Sequence, residues 1–427
     1  MARRQFRINS QGISERFTIR GFRSRMPDEL NEGGDFIKMG VNAPLQLNTQ
    51  VSSKLVIEVV SEWSDFLKLE TEWQDLINRT QVHNISLDFH WLRIWLAHFQ
   101  PKQLFVLLVR DKSGLLVGAA PFQINTGQRG LTHRMLRFLQ FIGTSPNTYD
   151  LQDILVDPSQ DLTDIVTQMA FKVAESRDTW DVIDLCFCVN YAAMEIFRDI
   201  LSEATHEISL HASDKVLYKR LPESVEQYKQ ERIKSLRRTM TRAMKKVSHD
   251  FPEQSPVLTF VPPSEAGNLL LEKFFENHQA YWSKNGCRSD FARFKNLENY
   301  YKALFCHFGS IDEPASGRIV FSVLKFGEKV VSYEFASWHG NEYMGHIASY
   351  KEPYKTYYPG FIHFDWLFQY AIEKKAPVFH MGRGDGAYKQ NWSTTYYDLY
   401  SILGFKNSWT ARIWTGDQWL KKCLNKA

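Results

Sequence analysis

The chain has 427 residues, more than one ordinary hydrophobic core holds, so its length predicts two domains. Hydrophobic residues make up 44% and charged residues 23%, which is typical of a globular protein, and the net charge of +4 is too small to indicate nucleic-acid binding by the whole chain. The five cysteines form no C-x-x-C pair, which excludes a zinc ribbon and a disulfide scaffold, predicts no metal site and favours the cytoplasm.

Residues 1–52 are predicted to be a flexible basic arm. They hold few periodic apolar residues, and seven arginines lie between Arg3 and Arg25. Such an arm is either a solvated tail or a contact for acidic membranes or nucleic acid. No apolar run of 18 residues occurs in the sequence, so no transmembrane segment is predicted.

Residues 53–218 show alternating strand and helix patterns, as expected for one α+β domain. Asp111–Gly114 forms the turn of a hairpin between two of the strands. The predicted strands are 55–60, 104–109, 115–124, 136–142 and 182–188, and the predicted helices are 63–79, 90–99 and 162–174.

Residues 219–250 are predicted to be a basic connecting helix, centred on Pro222–Val247. Eight lysines and arginines, among them Arg237 and Arg238, outweigh Glu226 and Glu231. Most such faces are simply solvated. The excess of positive charge also suits a partner that carries phosphate or carboxylate groups.

Residues 251–427 repeat the plan of the first half and are predicted to be a second α+β domain. The hairpins 106–122 and 320–335 correspond, which indicates an internal duplication. The predicted elements are helices 269–282 and 361–373 and strands 319–324, 329–337, 343–348 and 378–381.

A glycine-rich loop follows the last of these strands. Gly382, Gly384 and Gly386 alternate, and Arg383, Asp385, Tyr388 and Lys389 lie among or just after them. A nucleotide-binding loop is one interpretation, but the spacing is G-x-G-x-G and too little chain follows for a βαβ unit. A tight turn with a solvated arginine and aspartate is the second. A family signature is the third.

The set Gly382-Arg383-Gly384-Asp385, Tyr388-Lys389 and Trp392 resembles the C-terminal signature of the CelD/BcsL-type acetyltransferases. These are GNAT-fold proteins associated with bacterial cellulose biosynthesis and distantly related to the Fem peptidoglycan aminoacyl ligases. The order of the predicted strands and helices over residues 60–405 also resembles that family. His380 stands where that family has an aspartate, and Tyr358-Pro359-Gly360 where it has Ser-Pro-Gly.

The resemblance implies two tandem GNAT-like domains with mixed central sheets, the C-terminal one catalytic. It implies transfer of an acyl group, typically acetyl, from acyl-CoA to an amine or hydroxyl of a polysaccharide precursor, a glycolipid or another small acceptor. Fem-like aminoacyl transfer from tRNA and a catalytically inactive GNAT scaffold are the alternatives. No Ser-hydrolase, zincin or P-loop motif occurs in the chain.

The loop before the helix at 361–373 is a candidate cofactor site. Pro359 suits a helix start, Gly360 permits close backbone approach, and a helix N-terminus attracts phosphate. An ordinary strand–helix loop is the alternative. The resemblance favours phosphate binding and implies a cofactor site formed by Tyr350, Lys351, Lys355, Pro359, Gly360 and Phe361.

The catalytic assignment also follows from the resemblance. Lys389 matches the lysine of the Fem-type F/Y-K motif, a fixed cation beside the reacting carbonyl. Tyr388 is placed in the chemical step with it, and Asp385 either orients Lys389 or accepts the proton of the acceptor ammonium. His346 and His380 are candidate bases, although a histidine on a strand is more often a packed residue.

Four residues are predicted to contact substrate. Arg383 fixes either the glycine-rich loop or a substrate anion. The full set is Arg383, Trp392, Arg237 and Arg238.

Overall fold

The computed structural model describes residues 55–80, 84–129, 134–144, 151–252 and 255–424, so the predicted arm, 1–52, lies outside the described residues. The described residues belong to one compact unit. The strands are β1 Val56–Val60, β2 Gln103–Arg110, β3 Leu116–Arg129, β4 Arg134–Phe141, β5 Leu155–Val156, β6 Val182–Cys188, β7 Glu207–Arg220, β8 Pro256–Val261, β9 Ile319–Phe326, β10 Lys329–His339, β11 Glu342–Tyr350, β12 Val378–Arg383 and β13 Tyr396–Phe405.

Twelve α-helices connect these strands among the described residues. Their burial follows the apolar periodicity, and no described helix is long and apolar enough to cross a membrane. They are α1 Trp63–Phe66, α2 Glu70–Thr80, α3 Phe89–Phe99, α4 Leu162–Glu175, α5 Tyr191–Leu201, α6 Val225–Glu231, α7 Lys234–Asp250, α8 Glu265–Lys284, α9 Asp290–Arg293, α10 Leu297–Phe308, α11 Pro359–Glu373 and α12 Ser408–Leu424.

One mixed sheet joins the two halves of the chain. Its strand order is β1-β2-β3-β4-β6-β13-β7-β12-β11-β10-β9-β8, with β5 paired to β3 off this path. The order is symmetric about its centre. Each end has four antiparallel strands, and a parallel pair follows in each half, β4 with β6 and β11 with β12. This symmetry agrees with the duplication that the hairpins indicate.

The two halves exchange their last strands at the centre of the sheet. The strand β7, from the first half, pairs with β12, and β13, from the second half, pairs with β6. The two exchanged strands also pair with each other. The predicted boundaries 53–218 and 251–427 therefore do not coincide with any break in the sheet, because β7 is hydrogen-bonded only to strands of the second half.

The predicted helix 222–247 is two helices, α6 and α7, which is a correction to the sequence-based expectation. The chain is extended at Arg232 and Ile233, with ψ of 132° and 152°. The Arg232 guanidinium is held 2.6 Å from a carboxylate oxygen of Asp365 on α11 and lies over the Tyr228 ring. This buried ion pair ties the break to the helix that borders the site.

Candidate active site

A cavity of about 600 Å³ opens where β11 and β12 separate. These parallel strands pair only at Tyr343 with Phe379 and at Met344 with His380. Beyond those pairs the cavity is lined by β10, β11, the start of α11, the end of α8 and the glycine-rich loop. The strand that precedes the loop was predicted to release polar groups into a site, and the cavity lies at that point.

A β-bulge and two glycines shape the floor of the cavity. The pairing of β10 with β11 shifts register after Phe335, so that His346 is the additional residue on β11. A Cβ on Gly345 would lie 2.7 Å from a carboxylate oxygen of Glu334. Gly382 has φ of +71°, and a Cβ there would overlap the carbonyl oxygen of Gly345. Gly382 therefore requires glycine, and Gly345 leaves room for the carboxyl of Glu334.

The buried carboxyl of Glu334 on β10 lines the cavity, and the sequence analysis missed it. Burial raises the pKa of this carboxyl to about 8, while the positive charge of Lys389 acts in the opposite direction. A carboxyl whose pKa lies near neutrality is suited to general base catalysis. The available signal was a glutamate inside the predicted strand 329–337, between the apolar residues Tyr333 and Phe335.

Lys389 lines the cavity, and its side chain is buried. Its ammonium donates hydrogen bonds to the carbonyl oxygens of Gly382, Arg383 and Gly384, at 2.8, 2.6 and 3.0 Å. These three bonds match the three donors of an ammonium group. In this geometry Lys389 holds the glycine-rich loop closed and supplies a positive charge that lowers the pKa of Glu334.

The other predicted loop residues separate into two groups. Tyr388 is half exposed and lines the cavity. Arg383 also lines it, with its guanidinium 3.3 Å from a carboxylate oxygen of Asp214 and 4.0 Å from the Phe187 ring centre. Asp385 is exposed and lies outside the cavity lining, so the structure does not bring its carboxylate to the site.

The two candidate histidine bases have different environments. His346 lines the cavity, and its Nε2 lies 2.8 Å from the hydroxyl of Ser337. His380 lies 2.9 Å from a carboxylate oxygen of Glu342 and is not part of the lining. The structure therefore keeps His346 at the site and places His380 in a separate polar contact.

The N-terminus of α11 lies at the wall of the cavity. Tyr358 takes a left-handed conformation as N-cap, no side chain caps the helix, and Pro359 occupies its first turn. Gly360 and Phe361 line the cavity together with Tyr350. Pro359 has no N–H, and the N–H groups of Phe361 and Ile362 donate to the carbonyl oxygen of Tyr358 at 3.0 and 3.1 Å. This terminus therefore offers a phosphate the N–H of Gly360 and the favourable helix dipole.

The two lysines predicted for the cofactor site are not in the lining. Lys351 lies over the ring of Tyr333, with 6.0 Å between Nζ and the ring centre. Lys355 is exposed and lies 3.6 Å from a carboxylate oxygen of Glu352. Tyr350, Gly360 and Phe361 are therefore brought together, and the lysines lie outside that group.

Trp392 is a core residue, which corrects its assignment as a substrate contact. It is 7% exposed, and its ring packs against Phe361, Phe364 and Phe368 at centroid distances of 5.0, 4.9 and 6.3 Å. Its indole anchors the end of the glycine-rich loop on α11. Arg237 and Arg238 lie on the exposed face of α7, outside the cavity lining.

No group of three or more His, Cys, Asp or Glu residues that could hold a metal ion occurs within the described residues.

A family model described as the acetyltransferase (GNAT) domain matches residues 234–390, a range that includes Glu334, α11, β12 and Lys389. No curated protein sequence matches the chain at a significant level. The solved structure of FemX is similar, with a TM-score of 0.52 and 9% identity over 78% of this chain and 95% of that chain.

Two further solved structures are less similar. One is the C-terminal domain of a putative lysylphosphatidylglycerol synthetase from Agrobacterium fabrum, with a TM-score of 0.48 and 10% identity over 83% of this chain and 96% of that chain. The other is a tandem GNAT protein from the clavulanic acid pathway, with a TM-score of 0.44 and 9% identity over 82% and 99%. The predicted fold class is confirmed: the chain has a GNAT-like α+β fold, and residues 234–390 form a GNAT acetyltransferase-like domain.

Proposed function

We propose that the protein transfers an acyl group, typically acetyl, from acyl-CoA to an amine or hydroxyl of a small acceptor, such as a polysaccharide precursor or a glycolipid in the CelD manner. The observation that carries this proposal is the buried carboxyl of Glu334 in a cavity that reaches the uncapped N-terminus of α11. A proton acceptor and a phosphate-binding helix end in one cavity are what acyl transfer from a coenzyme A thioester requires.

The residues present fit acyl-CoA at the α11 end of the cavity. Gly360 and Phe361 would lie against its phosphate-bearing part, because the N–H of Gly360 and the helix dipole favour an anion there. When bound, acyl-CoA supplies an activated thioester carbonyl. Tyr350 would flank the same region.

The chemistry of the chain's own residues centres on Glu334. Its carboxylate form accepts the proton that the acceptor amine or hydroxyl loses as its nucleophile bonds to the acyl carbon. The C–S bond of the thioester breaks in the same transfer, and the sulfur takes up a proton so that coenzyme A leaves as the thiol. Lys389 keeps the glycine-rich loop in place and favours that carboxylate form. His346, at the bulge, is the second candidate base.

The first test is isothermal titration of the protein with acetyl-CoA, followed by thiol release in the presence of a panel of amino sugars and alkyl amines. The proposal expects coenzyme A binding and acceptor-dependent thiol release. A protein that binds no coenzyme A contradicts acyl-CoA dependence. Binding without release for the whole panel favours the inactive scaffold.

Gly360→Val is expected to weaken acetyl-CoA binding at least tenfold without unfolding the protein. The nearest atom to a Cβ at position 360 is a ring carbon of Tyr350 at 3.7 Å, an ordinary contact, so the fold accommodates the side chain. The larger side chain would fill the space beside the helix N-terminus. Titration calorimetry measures the effect, and Gly416→Val on α12 is the matched control. Equal affinity for both variants would place the phosphates elsewhere.

A second candidate function, aminoacyl transfer from tRNA, is favoured by the surface of α7. Five exposed cations on this helix have no ion pair with any described residue: Lys234, Arg237, Arg238, Arg242 and Lys245. The helix also contacts the loop before α11, since the hydroxyl of Tyr357 donates to Asp250 at 2.8 Å. The C-terminal end of α7 therefore lies near the loop that leads to the α11 end of the cavity.

The triple variant Arg237→Glu, Arg238→Glu and Arg242→Glu is expected to abolish binding of an anionic partner at the basic face of α7. The core face of α7, with Leu236, Met240 and Val247 buried, is unchanged, so the fold should survive. Fluorescence anisotropy with tRNA and sedimentation with anionic vesicles, both over a salt series, measure binding.

The matched control reverses the same amount of charge at three exposed lysines in turns and loops elsewhere, Lys102, Lys112 and Lys295. Binding of tRNA with steep salt dependence, lost in the α7 variant alone, supports the aminoacyl function. If neither tRNA nor vesicles bind at low salt, the face is solvated.

A further inference from the structure

A second pocket of about 470 Å³ adjoins the catalytic cavity. The two share the side chains of His278, Trp282, His346 and Arg383 on their common wall. The outer wall comes from residues 288–301, the segment that contains α9 and the start of α10. A molecule in this pocket could therefore extend past His346 into the cavity that holds Glu334.

The charge of this pocket is unbalanced. Three guanidinium groups line it, those of Arg288, Arg293 and Arg383. Two carboxylates stand against them, that of Asp290 in the lining and that of Asp214, which lies 3.3 Å from the Arg383 guanidinium. Arg293 lies 3.2 Å from that carboxylate. Arg288 donates to the carbonyl oxygen of Ala292 and forms no ion pair with a described residue.

The remaining wall of the pocket adds hydrogen-bonding groups without adding charge. Burial lowers the pKa of His278 to about 4, so its ring is neutral at pH 7. Its Nε2 accepts from the indole N–H of Trp282 at 3.1 Å, which leaves Nδ1 to donate to the Ser289 hydroxyl at 2.9 Å. This chain of contacts fixes the wall between the pocket and the cavity.

We propose that this pocket binds an anionic group, a carboxylate or a phosphate, on the same acceptor molecule that presents its nucleophile to Glu334. The proposal rests on the proposed acyl transfer and narrows its substrate class to acceptors that carry a negative charge. Guanidinium groups suit both anions because their planar fork can donate two parallel hydrogen bonds. Arg383, on the common wall, lies between the anion and the reacting end.

The test compares acceptors that differ only in the anion. Full-length protein loaded with coenzyme A is titrated with glucosamine and glucosamine 6-phosphate, and with propylamine and β-alanine. We expect the anionic member of at least one pair to bind at least tenfold more tightly. The first pair reports on phosphate, and the second on carboxylate.

Arg288→Ala/Arg293→Ala should remove this preference, since both side chains line the pocket and neither lines the catalytic cavity. Arg288→Lys/Arg293→Lys should restore only part of it, because an ammonium lacks the fork. Lys102→Ala/Lys112→Ala, at exposed positions outside the lining, is the control and should keep the preference.

Equal binding within both pairs overturns the proposal, as does a preference that persists in Arg288→Ala/Arg293→Ala. The titration with acetyl-CoA separates this failure from that of the proposed function. If coenzyme A binds and the anion preference is missing, only the acceptor assignment is wrong. If coenzyme A does not bind, the acyl-CoA assignment is wrong, and the same pairs titrated without it still decide whether the pocket binds anions.

Discussion

Replacing Glu334 by glutamine is expected to lower kcat/KM for acyl transfer by about 10²- to 10⁴-fold, the usual contribution of a general base. Glutamine keeps the size of the side chain in its buried position but cannot accept the proton. The effect is measured as the rate of thiol release in the presence of an acceptor that the wild-type protein acylates. Glu328→Gln, at the exposed turn between β9 and β10, is the matched control.

The pH dependence gives this prediction a second readout. Because burial raises the pKa of Glu334 to about 8, the wild-type kcat/KM should rise as the pH increases through about 8. Glu334→Gln should lose that rise. A profile that keeps it would assign the base to another group, with His346 the first candidate.

The stability of the folded protein should decrease over the pH range in which kcat/KM increases. The folded protein holds the proton of Glu334 more tightly than the unfolded chain, whose carboxyl has the ordinary pKa of 4.5. The free energy of unfolding of the wild type should therefore decrease, relative to that of Glu334→Gln, as the pH rises from 4.5 to about 8. The melting temperature of Glu334→Gln, relative to that of the wild type, should therefore be higher at alkaline pH than at acidic pH.

Replacing Lys389 by methionine is expected to have two effects: it should destabilise the folded protein, and it should shift the pH dependence of kcat/KM. Removing the ammonium leaves the carbonyl oxygens of Gly382, Arg383 and Gly384 without their donor, at a cost on the order of 3 kcal/mol for a lost buried ionic partner. It also removes the charge that lowers the pKa of Glu334, so the rise in kcat/KM should move to higher pH.

This combination separates two roles of Lys389. A positioning residue shifts the pH profile and the unfolding midpoint in denaturant. If Lys389 also acts directly on the reacting carbonyl, as the resemblance implies, its loss lowers kcat even at pH values well above the pKa of Glu334, where that carboxyl is ionised in both proteins. Lys389→Arg should rescue poorly in either case, because a planar fork does not reproduce three divergent N–H donors. Gln390→Met, at the exposed neighbouring position, is the control and should behave as wild type.

Local pattern was sufficient to predict much of the fold. The strand at 182–188 has the predicted bounds, and both hairpins form where the apolar runs and turn residues place them. The helix break at Arg232 was not predictable, because its cause is an ion pair with Asp365, far away in the sequence. The exchange of β7 and β13 escaped prediction for the same reason, since strand pairing depends on partners that periodicity does not identify.

The candidate site was predictable where the backbone demands a residue type. Gly382 requires glycine, and Gly360 opens the helix N-terminus. Directions of side chains were less predictable: Trp392 packs inward, Asp385 is exposed, and Lys389 turns back on its own loop. Glu334 was missed because a glutamate in a strand pattern ordinarily indicates a solvated face.

The exchanged strands also have a consequence for how this protein is made. While the chain leaves the ribosome from its N-terminus, β6 lies at an open edge of the sheet until β13 is synthesised. An open edge can pair with the wrong strand or with another chain. Correct assembly therefore waits for nearly the whole sequence, and contacts so distant along the chain slow folding. The first half of the sheet is therefore completed at its centre only when β13, the last strand, has been synthesised.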